Sequence, residues 1–232
     1  MSYNKQNIII YIVFILIAFI GINFGNAIYE KYNNLRIWQF ENILMLAIGI
    51  PFLFFQTKAG IPNFIDEQVQ NKKRFLQPFL IGAIFGLLDI IVIKIIQHPE
   101  AFKELPPFLQ PFPYSIFLYF SGAFEIEVFY RLIPMTTILV IGQWISKGKF
   151  FNYFLWTAIL LTSIREPLEQ MPSGSNWFIC YSLLTGFLMN YLQAIYYKNA
   201  GFLATLSIRL GHYLFWHILL GVYVQFIELN SF

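Results

Sequence analysis

The stretch GAFEIEVFYRLIP, residues 122–134, places Glu125, Glu127 and Arg131 inside an apolar run. A charged side chain at the centre of a bilayer costs about 2.5–3.5 kcal/mol on insertion scales, so such residues usually face a protein interior or a wet cavity. A carboxylate held in a cavity of this kind is suited to act as a general base. The stretch therefore indicates a buried site capable of acid–base chemistry.

Helical spacing separates the three charges. At about 100° per residue, Glu127 and Arg131 are four positions apart and share a face, so we expect them to pair. Glu125 points to a different side of the same helix. An i,i+4 pair can also serve only to fix helix packing, and that alternative stays open.

A later apolar run contains a second set of ionisable residues: Arg209, His212 and His217. Arg209 and His212 are three positions apart and share a helical face. His217 lies five positions beyond His212, about 140° round a regular α-helix, so the two histidines do not form a ready metal site. The H-E-x-x-H pattern of zinc peptidases is absent. We therefore predict no metal and no cofactor.

Two further groups of charges carry weaker signals. Arg165, Glu166 and Glu169 adjoin a proline where a helix is expected to end, and charges in such places are commonly solvated. Asp89 and Lys94 lie within one predicted helix and are interpreted as a packing or topology pair. Of the first group, Arg165 stays a candidate source of positive charge for the site.

Composition identifies the elements that must position these residues. The chain of 232 residues is 58% hydrophobic and only 12% charged, with a mean hydropathy of +0.61. Soluble domains carry about a quarter charged residues, so too few are present here to cover a water-facing surface. A net charge of +3, dispersed along the chain, does not indicate nucleic-acid binding. Cys180 is the single cysteine, which excludes an internal disulfide and a cysteine-based zinc cluster.

Hydrophobic runs and their Pro, Gly and charge breaks predict an all-α fold, a polytopic bundle of about eight membrane helices in one integral membrane domain, 1–232. The first run lacks a convincing cleavage site, so it is interpreted as a membrane helix rather than a signal peptide. The approximate bounds are 8–28, 38–56, 75–97, 113–132, a shorter helix from Pro134 to 146, 150–164, 176–197 and 201–228.

The distribution of basic residues predicts the orientation. The loop between the second and third helices is the most basic, with Lys58, Lys72, Lys73 and Arg74. Cytoplasmic loops are enriched in Lys and Arg, which places this loop in the cytoplasm. With eight helices, both termini would then be cytoplasmic, and the expected location is the cell (inner) membrane.

Two stretches carry a resemblance to a known family. EVFYRLIP, residues 127–134, and SLLTGFLMNYLQAIYYKNAGFLATLSIRLGHYLFWHILLG, residues 182–221, resemble the CAAX-protease and bacteriocin-processing (CPBP or Abi) family of glutamic-type intramembrane peptidases. The resemblance covers about residues 115–225. It places Glu127 at the second glutamate of the family motif, Arg131 at its arginine and His212 at its final histidine.

Other family positions are occupied differently. The first glutamate, which acts as the general base in the family, aligns with Ile126, one position beyond Glu125. The middle histidine is absent from its expected region, where Arg165 stands, and the final asparagine position holds Trp216 followed by His217. The chain is therefore a divergent member with incomplete motifs.

The resemblance implies that a carboxylate deprotonates water and that neighbouring polar groups stabilise the tetrahedral intermediate. Glu127 would be the base, His212 would position water, and His217 or Arg165 would supply positive charge. Glu125 would replace the base only if its helix unwinds near Gly122. The predicted partners are membrane lipids and a membrane-associated peptide or protein substrate.

Three functions remain open at this point. The first is an intramembrane peptidase that cleaves peptides or protein termini at the membrane. The second is a catalytically inactive family member that binds a membrane peptide, lipid or partner in the same cavity, which the missing polar positions favour. The third is a small membrane transporter whose charges line a permeation path. Convergence of Glu127 and His212 on one cavity would favour the first two over the third.

Overall fold

The computed structural model describes residues 3–32 and 34–231, and within these ranges the chain is built of helices without strands. Helix α1 spans Tyr3–Ile28 and continues into a 3₁₀ turn, and α2 is the short apolar helix Phe40–Leu53. The remaining helices are longer: α3 is Lys72–Gln97, α4 is 114–146, α5 is Phe151–Glu169, α6 is Asn176–Ala200 and α7 is Phe202–Glu228.

Four helices in the described ranges are long and apolar enough to cross a membrane: Lys5–Lys31, which extends α1 through the turn, and α3, α6 and α7. The chain is therefore of the membrane type, but the prediction of about eight membrane helices is wrong. Helix α2 is too short to cross a bilayer. Helix α4 carries Glu125, Glu127 and Arg131, α5 carries Arg165, Glu166 and Glu169, and neither is among the helices that are both long and apolar enough to cross a membrane.

The predicted break at Pro134 is also absent, because the fourth and fifth predicted helices form the single helix α4. Its α-helical halves, Tyr114–Glu127 and Ile133–Ser146, are joined by the π-helical segment Val128–Leu132. Proline lacks an N–H and normally disrupts the helix where it stands. Here Pro134 follows a segment whose hydrogen bonds already run from i to i+5, so the helix continues through it.

Helix α7 lies at the centre of the bundle. It packs against α3, α4 and α6, while α1 packs on α4 and α5 lies against α4 and α6. Every side chain of α7 from Phe202 to Arg209 is buried. A charged residue in this half of α7 is thus withdrawn from both lipid and water, and its partners must come from the neighbouring helices.

Helices α3 and α7 cross at glycines. A Cβ atom built on Gly82 of α3 would lie 1.8 Å from the carbonyl oxygen of Ile208, and one built on Gly211 of α7 would lie 2.2 Å from that of Phe79. Only residues without a side chain allow two helix backbones to approach so closely. The crossing fixes the distance between the polar side chains one or two turns further along each helix.

Candidate functional site

Glu127 occupies the last α-helical position before the π-helical segment of α4, and its side chain is completely buried. It accepts hydrogen bonds from Arg209 Nε at 2.7 Å, from Gln193 Nε2 at 2.7 Å and from the hydroxyl of Thr205. These three donors occupy both oxygens of the carboxylate. Glu127 is therefore a fully hydrogen-bonded structural acceptor in this geometry.

Arg209 joins Glu127 to a second carboxylate. Its Nη1 and Nη2 atoms donate to the two oxygens of Glu166 at 2.8 and 2.6 Å, the forked geometry in which guanidinium–carboxylate pairs are strongest. Glu166 is buried because α5 continues through Pro167 to Glu169 instead of ending at about residue 164. The interpretation of Glu166 as a solvated charge at a helix end is wrong.

Arg131 is completely buried as well, but its hydrogen bonds go elsewhere than predicted. Its guanidinium donates to the carbonyls of Tyr130, Thr162 and Asn190, and to the side chain of Asn190. Within the described ranges, the ion pair of Glu127 is made with Arg209. The expected Glu127–Arg131 ion pair is wrong: Arg131 donates to backbone carbonyls and to Asn190, while the oxygens of Glu127 are occupied by Arg209, Gln193 and Thr205.

These four buried charges, Glu127, Arg131, Glu166 and Arg209, form what we call the four-charge network. Its two cations and two anions balance formally. Gln193 of α6 connects them, because its amide donates to Glu127 and its carbonyl oxygen accepts from Arg209 at 3.2 Å and from Arg131 at 3.3 Å. The network ties α4, α5, α6 and α7 together at the centre of the bundle.

A cavity of about 440 Å³ lies beside this network. Its wall is about equally polar and apolar and includes seven ionisable or imidazole side chains. Glu127 and Arg131 are not among the residues that line it. The lining residues that matter for chemistry are Arg36, Asp89, Glu125, Glu166, Arg209, His212 and His217.

The two ring nitrogens of His212, in the cavity wall, have different surroundings. Its Nε2 lies 2.7 Å from Asp89 Oδ2, and Asp89 Oδ1 accepts a hydrogen bond from the hydroxyl of Tyr181 at 2.8 Å. Because a carboxylate only accepts, Nε2 donates this hydrogen bond, and Nδ1 is the ring nitrogen left for another partner. His212 Nδ1 is buried and makes no hydrogen bond within the described part of the chain.

The glycine crossing of α3 and α7 brings this pair together. Asp89 lies seven residues, about two turns, beyond Gly82 on α3, and His212 directly follows Gly211 on α7. The sequence alone suggested Lys94 as the partner of Asp89. That interpretation is wrong, since Lys94 forms its ion pair with Glu228 at 2.9 Å.

His217 lines the same cavity and is held by different partners. Its Nδ1 lies 2.8 Å from the carbonyl oxygen of Phe108, and its ring stacks on Tyr119 with centroids 4.2 Å apart. The π-helical segment Leu214–Leu219 separates it from His212, and the two imidazole centroids are 6.3 Å apart. The separation of about 140° expected on a regular α-helix is therefore not found, since both imidazoles line one cavity and a π-helix turns through a smaller angle per residue.

No group of three or more His, Cys, Asp or Glu side chains able to hold a metal ion occurs in residues 3–32 and 34–231, apart from the few side chains whose placement is not described. Each imidazole has one ring nitrogen beside an acceptor, Asp89 Oδ2 for His212 and the Phe108 carbonyl oxygen for His217. The role of His217 as a source of positive charge stays a prediction.

Glu125 lines the cavity from a helix that does not unwind. The α-helical half Tyr114–Glu127 continues through Gly122, and Glu125 reaches the cavity in regular geometry. It is half-buried and accepts a hydrogen bond from Asn42 Nδ2 at 3.3 Å. The helix does not open near Gly122, so the condition under which Glu125 would replace the base is not met. The prediction that Glu125 and Glu127 point in different directions is confirmed.

Arg165 lies outside the cavity, on an exposed face of α5. Its Nε pairs with Glu169 at 2.8 Å, its Nη1 donates to the carbonyl of Phe129, and its guanidinium covers the ring of Tyr130. Of the six candidate residues from the sequence, three line the cavity and three do not. Those that line it are Glu125, His212 and His217, and the others are Glu127, Arg131 and Arg165.

Two members of the site, Asp89 and Glu166, received too little weight in the sequence. Each is an acid inside or beside an apolar helix, which is by itself a signal for a functional or paired group. Comparison with known proteins adds nothing to this geometry: no family model, curated protein or solved structure matches the chain.

Proposed function

We propose that the protein is an intramembrane hydrolase in which the His212–Asp89 pair activates water for attack on a peptide bond. One observation carries the proposal: a buried histidine at a cavity wall has one ring nitrogen fixed by a carboxylate and the other without a partner. That arrangement is the orienting and activating part of many hydrolase sites, where the carboxylate sets the tautomer and stabilises the imidazolium.

The reaction divides between His212 and the groups around it. Nδ1 of His212 is buried in this structure and becomes accessible when the peptide enters the cavity; it then accepts a proton from water as the water oxygen bonds to the peptide carbonyl carbon. Asp89 stabilises the resulting imidazolium through Nε2–H, and Tyr181 keeps the carboxylate in place. When the C–N bond breaks, the imidazolium returns the proton to the departing amine. Glu125 lies in the same cavity and orients the attacking water by accepting its second hydrogen.

The peptide substrate rests on the resemblance of residues 115–225 to the glutamic-type intramembrane peptidases. The proposal gives Glu127 a role different from the one that the resemblance implies. Glu127 has its oxygens occupied and is absent from the cavity wall, so it stabilises the bundle instead of serving as the base. The cavity carboxylates that remain are Asp89, Glu125 and Glu166, and Glu166 is held by Arg209.

The test is proteolysis by the purified protein in liposomes, against a pool of membrane-anchored and prenylated peptides. Wild type is compared with His212→Gln, Asp89→Asn and Glu125→Gln. We expect His212→Gln to lower kcat by about 100-fold or more, which is the usual contribution of a general base. Asp89→Asn should lower kcat by a similar factor, because the amide keeps the hydrogen bond but not the charge.

The control is Tyr223→Phe, a change on the lipid-exposed side of α7 away from this cavity, which should leave kcat unchanged. Each variant must elute as the same species as wild type and show the same helical circular dichroism. Full cleavage by a well-folded His212→Gln variant would overturn the proposal.

A second candidate is a binding protein without catalysis, which uses the same cavity for a membrane peptide. The observation that favours it is the full hydrogen bonding of Glu127 at a position where the resembling family places a reactive glutamate. Absence of cleavage across the pool, together with saturable binding of a peptide that His212→Gln weakens, would establish this candidate instead.

We propose further that the chain is a multi-pass protein of the cell membrane in contact with bilayer lipids, with the loop between α2 and α3 on the cytoplasmic side. Lys58, Lys72 and Lys73 belong to this loop or its border and are exposed. A cysteine introduced at Lys58 in a Cys180→Ser background should be labelled by impermeant maleimide only after the membrane is opened. Labelling of intact cells would reverse the orientation.

A further inference from the structure

Arg36 is held in place by its backbone, although it lies in the extended connection between α1 and α2. Its N–H donates to Gln110 Oε1 at 2.8 Å, and its carbonyl accepts from the hydroxyl of Tyr114 at 2.7 Å. Gln110 and Tyr114 are both buried. The neighbouring Leu35 is buried in a cluster with Tyr114, and Ile37 packs against that cluster. A connection anchored in this way presents its arginine at a defined place.

The side chain of Arg36 is exposed and lines the wall of the cavity. The ion pairs found in residues 3–32 and 34–231 involve other cations, so no carboxylate of the described chain neutralises it within 4.0 Å. The contrast with the other arginine of the cavity wall is informative. Arg209 is saturated by Glu127 and Glu166, whereas Arg36 keeps its charge available to whatever enters.

We infer that Arg36 binds a carboxylate of the peptide that occupies the cavity, so that the preferred substrate carries an acidic group near the bond that is cleaved. The inference rests on the proposed function and specifies its substrate class. A planar guanidinium matches a carboxylate with two parallel hydrogen bonds, which gives both affinity and register. Trp38 lines the cavity beside it and offers an apolar surface for the adjoining part of the peptide.

This contact is relevant to catalysis because it fixes the position of the peptide along the cavity. An anchored carboxylate at the mouth of the cavity sets which carbonyl lies opposite His212 Nδ1. The carboxylate has two sources in a peptide, the C-terminus and an Asp or Glu side chain. Both present the same group to Arg36, and they are distinguished by the choice of substrate.

The experiment compares cleavage of matched peptides by wild type, Arg36→Gln and Arg36→Lys in liposomes made only of phosphatidylcholine. The peptide set has one sequence in four forms: free C-terminal acid, C-terminal amide, and internal Glu or Gln near the scissile bond. Lys31→Gln is the control, since it removes the same charge five residues earlier on an exposed turn that does not line the cavity.

We expect Arg36→Gln to raise KM about tenfold for the form that carries the recognised carboxylate, with kcat little changed, as for loss of a charge-assisted contact. Arg36→Lys should recover part of the loss, and the amide or Gln form should respond to neither variant. Loss confined to the free acid identifies the C-terminus, and loss confined to the Glu peptide identifies a side chain.

Two results would count against the inference in different ways. If wild type cleaves all four peptides with equal KM, or if Arg36→Gln weakens every form equally, Arg36 does not recognise a carboxylate, although the hydrolase proposal stands. If wild type cleaves none of them, the proposed function fails first. If wild type shows no preference for the acidic forms, and added phosphatidylglycerol raises cleavage of all four peptides by wild type but not by Arg36→Gln, Arg36 binds lipid headgroups and the inference is overturned.

Discussion

Two glutamates on one helix show how differently this bundle uses its charges. Glu127 belongs to the four-charge network, is completely buried, and has its oxygens filled by Arg209, Gln193 and Thr205. Glu125, two residues earlier, is half-buried, faces the cavity, and accepts one long hydrogen bond from Asn42. A carboxylate whose oxygens are all hydrogen-bonded stabilises the fold. A carboxylate that can still accept hydrogen bonds from the cavity is available for chemistry.

The same contrast separates the cations and the histidine. Arg209 is held by Glu127 and Glu166, and Arg131, which does not line the cavity, donates to the carbonyls of Thr162 and Asn190. His212 and Arg36, in the cavity wall, each keep a functional group unused. The four-charge network therefore holds together the helices that position the cavity residues. Substitutions in the network should mainly lower stability, and substitutions in the cavity should mainly lower cleavage.

The largest effect is expected where the network is broken. Glu127→Ala leaves Arg209 buried with one of its two carboxylates removed, and removal of one partner of a buried pair typically costs about 3–5 kcal/mol. Glu125→Ala removes one weak hydrogen bond and should cost about 1 kcal/mol or less. Unfolding by sodium dodecyl sulfate in mixed micelles, followed by circular dichroism, measures both. Equal costs for the two variants would contradict the division into network and cavity.

Sequence reasoning found the region of the site but predicted several contacts that the structure does not show. Glu125, Glu127, Arg131 and His212 stood out because charge inside an apolar helix is costly and must have a reason. The predicted partner of Glu127 was Arg131, whereas Glu127 pairs with Arg209 of another helix, which one sequence without tertiary contacts does not indicate.

A π-helical segment near the end of α7 brings His217 toward the same cavity as His212. Such segments have no reliable mark in a single sequence, since they follow from the packing of neighbouring helices. The sequence did not indicate the second carboxylate partner of Arg209 either. Glu166 comes from another helix, and only the assembled bundle shows that α5 carries it inward past Pro167.

The bounds of the long apolar helices were predicted more closely than the site. Predicted limits of 176–197 and 201–228 compare with Asn176–Ala200 and Phe202–Glu228. Hydrophobic runs and glycine breaks are properties of the chain itself, so they are readable without tertiary contacts. The number of membrane helices was less accurate because two predicted helices form the single helix α4, and because α2 is too short to cross a bilayer.

An intermediate effect is expected at the crossing that links the two regions. Gly82→Ala would place a Cβ atom 1.8 Å from the Ile208 carbonyl oxygen, so α3 and α7 must move apart. Overpacking of this kind costs about 1–3 kcal/mol. Because the same crossing sets the Asp89–His212 distance, cleavage should fall as well, with most of the loss in kcat.

The matched control for that variant is Gly122→Ala, which lies on the cavity wall with no atom within 4 Å of the new Cβ. Alanine is also the better helix former, so this change should be neutral or slightly stabilising. Both are measured by detergent unfolding and by kcat in liposomes. A tolerated Gly82→Ala with unchanged kcat would mean that the crossing does not position the pair.

The smallest effect is expected at Arg165, the candidate that lies outside both regions. Its ion pair with Glu169 joins two side chains that are each 46% exposed, and exposed i,i+4 pairs contribute about 0.3–0.5 kcal/mol. Arg165→Gln should therefore leave stability within that range and leave kcat and KM unchanged. A loss of cleavage in a variant of unchanged stability would return Arg165 to the site and would show that the exposed end of α5 closes over the cavity during the reaction.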